Sequence, residues 1–166
     1  MIRLSIRKVI LLDPYDDKMI EQLSSFEEEN SINDSNTTKF LNKLRKISRE
    51  KYFEQRKKSN EIEEILFVKE DSKIRDYCHI YGEKDRKICT VSFPRIDVRR
   101  RTIIPLIVSY TQNDLGIKET FIKVDPEDKS IIKDLDYLGY ESLGENNGNI
   151  IYLKEQELEE TKQRMI

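Results

Sequence analysis

The sequence predicts an α+β fold, a mostly antiparallel mixed sheet with flanking helices. Three observations carry that prediction. From Glu63 to Ile96, apolar residues recur at period two in three runs joined by short charged turns, the pattern of an antiparallel meander. Segments on both sides of it carry apolar residues at three- and four-residue spacing, the pattern of amphipathic helices. After the meander, helix-like and strand-like runs alternate, so one helical crossover returns the chain to the sheet before a last strand pair.

Residues Ile2 to Leu12 set Ile2, Leu4 and Ile6 at period two ahead of Val9-Ile10-Leu11-Leu12, a strand buried on at least one face. Asp13-Pro14 closes it. A helix from Tyr15 to about Phe26 carries Met19, Ile20, Leu23 and Phe26, with Asp16 and Asp17 in its favourable first turn. "EEENSINDSN" breaks the period. A second helix, capped by Thr37 or Thr38 and running to about Lys58, carries Phe40, Leu41, Leu44, Ile47, Lys51 and Tyr52 on one side. Its charge run "RKISREKYFEQRKK" is interleaved with glutamates and reads as a solvated face.

Within the meander, turns fall at Asp71-Ser72-Lys73 and at "EKDR"; Tyr77, His79 and Tyr81 share one face, Cys78 and Ile80 the other. Ile103, Leu106, Ile107 and Tyr110 mark a helix that Gly116 ends with a left-handed cap. "IKETFIKV" is a strand, Ile131, Leu135 and Leu138 mark a helix stopping at Gly139, and Tyr140–Leu143 and Ile150–Leu153 flank the hairpin signal Asn147-Gly148. The order is β-α-α-β-β-β-α-β-α-β-β. It predicts one domain over residues 1–153, followed by a polar tail, 154–166.

At 166 residues the chain can bury a core without disulfide or metal staples. Thirty Lys and Arg against 32 Asp and Glu leave a net charge of -2, so any basic site is local. Cys78 and Cys89 form no C-x-x-C and accompany a single histidine, His79, which argues against zinc and for a reduced, cytoplasmic chain. "MIRLSIRKVILLDPYDD" has no uninterrupted hydrophobic region of a signal peptide, and no apolar run approaches ~18 residues, so neither export nor a membrane span is expected.

"KETFIKVDPEDKSIIKDLDYLGYESLG", Lys118 to Gly144, closely resembles the acetyl-CoA-binding half of the GNAT superfamily, the acyl-CoA N-acyltransferases. Members commonly read strand, V-D-P-E-N-K-x-S-I, helix, L-x-x-L-G-F/Y, and a final strand pair. Val124-Asp125-Pro126-Glu127-Asp128-Lys129, Ile132, Leu135 and Leu138-Gly139-Tyr140 fit that frame without a gap. "LIVSYTQNDLGIKE" resembles the central helix and the strand after it; before Ile65 the likeness is one of topology. The local logic is physical as well: Asp125-Pro126 turns the chain, Ser130 or Asp128 caps the helix, and Gly139 supplies the positive φ that ends it.

The resemblance implies acetyl-CoA as co-substrate, an amine of a small molecule or protein as acceptor, and a homodimer as a candidate assembly. It places pantetheine between two parting strands, with the thioester carbonyl near Phe93 and the diphosphate at the start of the central helix, near Val98, Arg99, Arg100, Arg101 and Thr102. Asp128, at the start of the last helix, completes the implied cofactor contacts. A helix start offers unpaired N–H donors and partial positive charge, and glycines let a phosphate approach the backbone. The family's loop reads Q/R-x-x-G-x-G/A. Counting back from Gly116 puts Arg95 at the first position and Val98 and Arg100 at the two small ones.

Three accounts of that departure stay open. The helix starts later, with Thr102 as N-cap and Pro105 in its first turn. Arg99, Arg100 and Arg101 hold phosphate through their side chains. Or the loop no longer binds the cofactor, and the chain is a silent binding or regulatory module. Read without the family, the triple arginine is a solvated loop or a nucleic-acid patch; the acidic balance and the lack of alternating aromatics weigh against nucleic acid.

No catalytic residue is assigned. The tyrosine acid common in the family falls at Leu135, and Tyr137 lies roughly 200° around the helix. His79 has the chemistry of a base near neutrality, although a lone strand histidine is more often a packed residue. Thr90 and Ser92 are candidate polar contacts, and the two cysteines read as small buried hydrophobes.

Overall fold

The computed structural model describes residues 6–33 and 35–154. Its elements are β1 (Arg7–Leu11), α1 (Asp17–Glu29), α2 (Ser35–Leu44), α3 (Arg49–Lys58), β2 (Glu61–Glu70), β3 (Lys73–Glu83), β4 (Ile88–Ser92), α4 (Ile103–Asn113), β5 (Glu119–Val124), α5 (Lys129–Tyr137), β6 (Tyr140–Asn146) and β7 (Asn149–Lys154). The strands form one sheet in the order β1-β2-β3-β4-β5-β7-β6. Neighbours are antiparallel except β4 and β5, and that parallel pair requires the crossover that α4 supplies. The α+β architecture read from the sequence is the one observed.

Period-two patterning gives the sheet two covered faces. Leu66 and Val68 join Cys78, Ile80, Val91 and Ile122 beneath Ile104 and Ile107 of α4 and Ile131 and Leu135 of α5. The alternate residues Ile65 and Phe67 join Tyr77 beneath Leu23 and Phe26 of α1 and Phe40 and Leu44 of α2. Strand β2 thus feeds two cores, and full burial of one such side chain stabilises by about 1.5–3 kcal/mol. The helices of the second core pack over β2 and β3; farther along that face Thr90, Ser92, Phe121 and Lys123 are only half-buried.

One local expectation is corrected. The helix expected from Thr37 to Lys58 is two helices, α2 and α3, because Ser48 caps a new start by accepting from the Lys51 amide at 3.3 Å. The Tyr15 hydroxyl, 3.1 Å from both the Leu44 and Ile47 carbonyls, donates to the exposed end of α2 and holds the break. Thr102 stands at the N-cap position of α4 with Pro105 in the first turn, as one account of the loop expects, but its hydroxyl accepts from Arg7 and caps no helix amide. The punctuators behave as read: Asp128 caps α5 through the Ile131 amide, and Gly116 and Gly139 have φ of 68° and 83°. Asn147 and Gly148, both at positive φ, turn the last hairpin. The expected strand residues Ile2 to Ser5 and the polar tail from residue 155 lie outside the described residues.

Candidate functional site

Ser92 is the last residue of β4 in register with β5, opposite Lys123. Beyond it the parallel strands part, and the chain runs through Phe93 to the start of α4. The Ile104 amide donates to the Arg100 carbonyl at 2.9 Å, so a single turn closed at Arg100, where the family frame puts its last small residue, leads into α4. Among the described residues the amides of Arg100, Arg101, Thr102 and Ile103 have no carbonyl partner. Asp134 of α5 takes the first of them: its Oδ2 accepts from the Arg100 amide at 2.8 Å.

The side chains of this loop alternate in direction. Pro94 and Arg100 are buried, and Val98 packs against the core, whereas Arg95, Asp97 and Arg99 are exposed. Both residues that replace the expected glycines therefore turn inward.

Arg100 is a structural residue, and the expectation that its side chain holds phosphate at the surface is corrected. Its guanidinium is fully buried; Nε donates to Asp76 Oδ2 at 2.7 Å, and Nη2 donates to Asp76 Oδ1 at 3.2 Å and to the Pro94 carbonyl at 2.7 Å. The Phe93 ring lies 4.8 Å from its Cζ. Burial pushes the Asp76 carboxyl above the usual carboxylate range while Arg100 and the Tyr77 amide pull it back down. The pair pins the loop to β3.

Arg101 is held differently. Its Nε donates to Asp134 Oδ1 at 3.1 Å, and its Cζ lies 4.0 Å from the Tyr137 ring centroid. Forty per cent of the side chain is exposed, and among the described residues its two Nη groups have no partner. Asp134 thus accepts on one oxygen from the loop backbone and on the other from Arg101. Arg95, 3.5 Å from Glu127, ties the loop to the turn ahead of α5, where Asp128 is occupied as the helix cap.

Neither Asp76 nor Asp134 was singled out from sequence, although both interrupt an apolar pattern. Asp76 lies on the face of β3 that Cys78 and Ile80 share by period two, and Asp134 lies in the Ile131, Leu135, Leu138 stripe of α5. A carboxylate inside an apolar stripe requires a partner.

A second group of polar side chains lies on the α2 side of the sheet. His79, buried on β3, faces Ser92 across the β3–β4 register, and its Nε2 is 3.4 Å from Glu63 Oε2. The neighbouring His79 ring holds the Glu63 carboxyl below its ordinary range. Tyr81 and Thr90 continue this face beside a cavity of about 480 Å³. The third member of the expected face, Tyr77, is sealed beneath α1, and its hydroxyl donates to Glu27 at 3.2 Å. Leu135 is buried in the core and Tyr137 is on the surface, so neither offers an acid at the position the family would use. Among the described residues no helix is long and apolar enough to cross a membrane.

No family model matches the sequence, and no curated protein is matched either. Solved structures are similar in fold. The N-acetyltransferase PseH of Campylobacter jejuni, in complex with acetyl coenzyme A, superposes with a TM-score of 0.60 at 15% identity over 90% of this chain and 99% of its own. The PaiA N-acetyltransferase of Thermoplasma acidophilum, in complex with coenzyme A, gives 0.57 at 12% identity over 90% and 98%. A mutant of the spermidine N-acetyltransferase SpeG of Vibrio cholerae gives 0.58 at 13% over 93% and 98%. With the crossover helix between two parting parallel strands and the helix-start loop that follows them, the chain has the fold of the GNAT N-acetyltransferases.

Proposed function

We propose that this chain is an N-acyltransferase that moves an acetyl group from acetyl-CoA to an amine. One observation carries the reading: where β4 and β5 part, the chain enters a helix start whose next amides, at Arg101, Thr102 and Ile103, have no carbonyl partner among the described residues, and both substituted glycine positions turn inward. In this reading those amides receive the diphosphate, and Arg99 and Arg101 add charge-assisted bonds from their exposed guanidinium groups. Phe93 and Val98 flank the entry between the strands, and Asp128 keeps the start of α5 in place. Direct attack of the amine on the thioester forms the amide and releases the thiol. That PseH and PaiA are solved with acetyl-coenzyme A and coenzyme A supports the assignment.

A second reading, a silent binding module, is favoured by Asp134. A unit negative charge about 4 Å from a phosphate oxygen costs roughly 4 kcal/mol at an effective dielectric of 20. Arg101 neutralises that charge, but only by committing its Nε.

Thermal melting with acetyl-CoA separates the two. Binding stabilises by RT ln(1 + [L]/Kd), about 2.7 kcal/mol at a hundredfold excess over Kd. A melting shift that grows with acetyl-CoA supports the transferase; no shift at millimolar ligand overturns it.

A further inference from the structure

The sheet face beneath α2 carries the chain's only histidine, and the fold gives it three properties of a working base. It is placed, because the β3–β4 register sets His79 opposite Ser92, the residue after which β4 leaves β5. Directly opposed residues of an antiparallel pair have Cβ atoms about 4.5–5.5 Å apart. His79 is therefore the side chain of β3 nearest the strand parting on this face. It is oriented, because Glu63 from β2 lies 3.4 Å from Nε2 while Phe40 from α2 and Tyr81 from β3 hold the ring at centroid distances of 6.2 and 5.8 Å. And it has capacity, because among the described residues Nδ1 is buried without a partner and Nε2 lies within ion-pair reach of Glu63 but makes no well-formed hydrogen bond. A buried imidazole that served only packing would satisfy at least one nitrogen.

His79 lines the cavity of about 480 Å³, which runs along β3 and β4 from His79 past the Tyr81–Thr90 pair to the turn at Glu83 and Ile88. Its charged lining is Glu61 and Glu63 from β2, Glu83 from β3, Lys43 from α2 and Arg86 from the turn. Arg86 engages Glu83 at 3.3 Å, and Lys43 approaches the other oxygen of Glu63 at 3.9 Å. Glu61 has no cation partner among the described residues. An entering ammonium meets one uncompensated carboxylate and the Tyr81 ring; an entering anion meets only cations already engaged.

We propose that this cavity is the acceptor pocket, that it takes a primary ammonium group, and that His79, positioned by Glu63, removes the ammonium proton. The inference rests on the N-acyltransferase reading. One proton of R–NH3+ passes to His79, and the freed amine attacks the thioester carbonyl carbon as its N–C bond forms. The C–S bond then breaks; the second nitrogen proton goes to the departing thiolate, and His79 returns its proton to solvent. Glu63 supplies the counter-charge while His79 is protonated, as a positioning residue that need not touch the acceptor.

The test uses the full chain with butylammonium as probe. Because there is one histidine, its Cε1–H NMR signal is a single resonance assigned without ambiguity. The signal should move on addition of butylammonium, and His79→Gln should lower thiol release from acetyl-CoA with butylamine by about 100-fold or more. The melting shift given by acetyl-CoA should stay as in the wild type, which also shows that the variant folds. Glu63→Gln, on the cavity wall, should move the acid limb of the kcat/KM pH profile and leave that melting shift intact. A resonance unmoved by butylammonium, or thiol release by His79→Gln at the wild-type rate, overturns the pocket assignment. Loss of the acetyl-CoA shift in the wild type itself overturns instead the reading on which it rests.

Discussion

Arg100 and Asp76, from a loop and a strand 24 residues apart, form a bidentate ion pair at 2.7 and 3.2 Å with both side chains fully excluded from solvent. The pair sets where the loop between β4 and α4 lies, and with it the helix start that the proposed cofactor site uses. A buried pair adds little net stability over apolar residues of the same shape, yet breaking it leaves an uncompensated charge. Asp76→Asn should therefore destabilise by about 3–5 kcal/mol in urea unfolding. The double variant Asp76→Leu/Arg100→Met should recover most of that loss while weakening acetyl-CoA binding, since the loop is then unpinned. Equal loss in single and double variants would show that the ion pair itself stabilises the fold.

Asp134 and the exposed arginines should act on acetyl-CoA in opposite directions. Arg99→Ala and Arg101→Ala each remove a charge-assisted contact, about 1–2 kcal/mol after allowance for exposure, and should weaken binding about 5- to 30-fold. Asp134→Asn keeps an oxygen for the Arg100 amide while deleting the negative charge and releasing Arg101. It should tighten binding by up to about tenfold. Melting series against acetyl-CoA concentration read all three, and weaker binding in Asp134→Asn would contradict the electrostatic account.

Acid stability should depend on Glu63. Its folded-state carboxyl is held below the ordinary range, first by the His79 ring beside it, with burial opposing. The stability it contributes is present above the unfolded-state pKa of about 4.3 and is lost as pH falls through the lower folded value. Unfolding free energies of Glu63→Gln should accordingly fall less than those of the wild type as pH drops below about 4.3. Parallel wild-type and variant curves would rule the coupling out.

Alkaline stability should depend on Tyr110. Burial, then Glu64 and Asp114 nearby, push its hydroxyl up to about 12. Unfolded tyrosine ionises near about 10, so the folded chain keeps a proton that the unfolded chain gives up. Stability is therefore full below about pH 10 and declines as pH rises toward the folded value. Tyr110→Phe should flatten that decline, and spectrophotometric titration should lose one tyrosine whose ionisation is pushed up to about 12.

Much of this molecule was legible one segment at a time. The alternation in β2 and β3, the Asp128 cap, the positive φ at Gly116 and Gly139 and the Asn147-Gly148 turn are set by residues within a few positions of each other. Local sterics and hydrogen bonding decide such features, so element order and fold class could be read from the chain alone. What only the tertiary structure decided depends on partners distant in sequence. The break between α2 and α3 is held by Tyr15, 29 and 32 residues from the carbonyls it bonds. The three arginines, identical on the page, part company because Asp76 and Asp134 arrive from elsewhere: Arg100 is drawn into the core, Arg101 is clamped against α5, and Arg99 stays in solvent. Sequence determined that a charged loop precedes the central helix. Which of its charges remain free to act was decided by burial, because a guanidinium leaves water only where a carboxylate meets it.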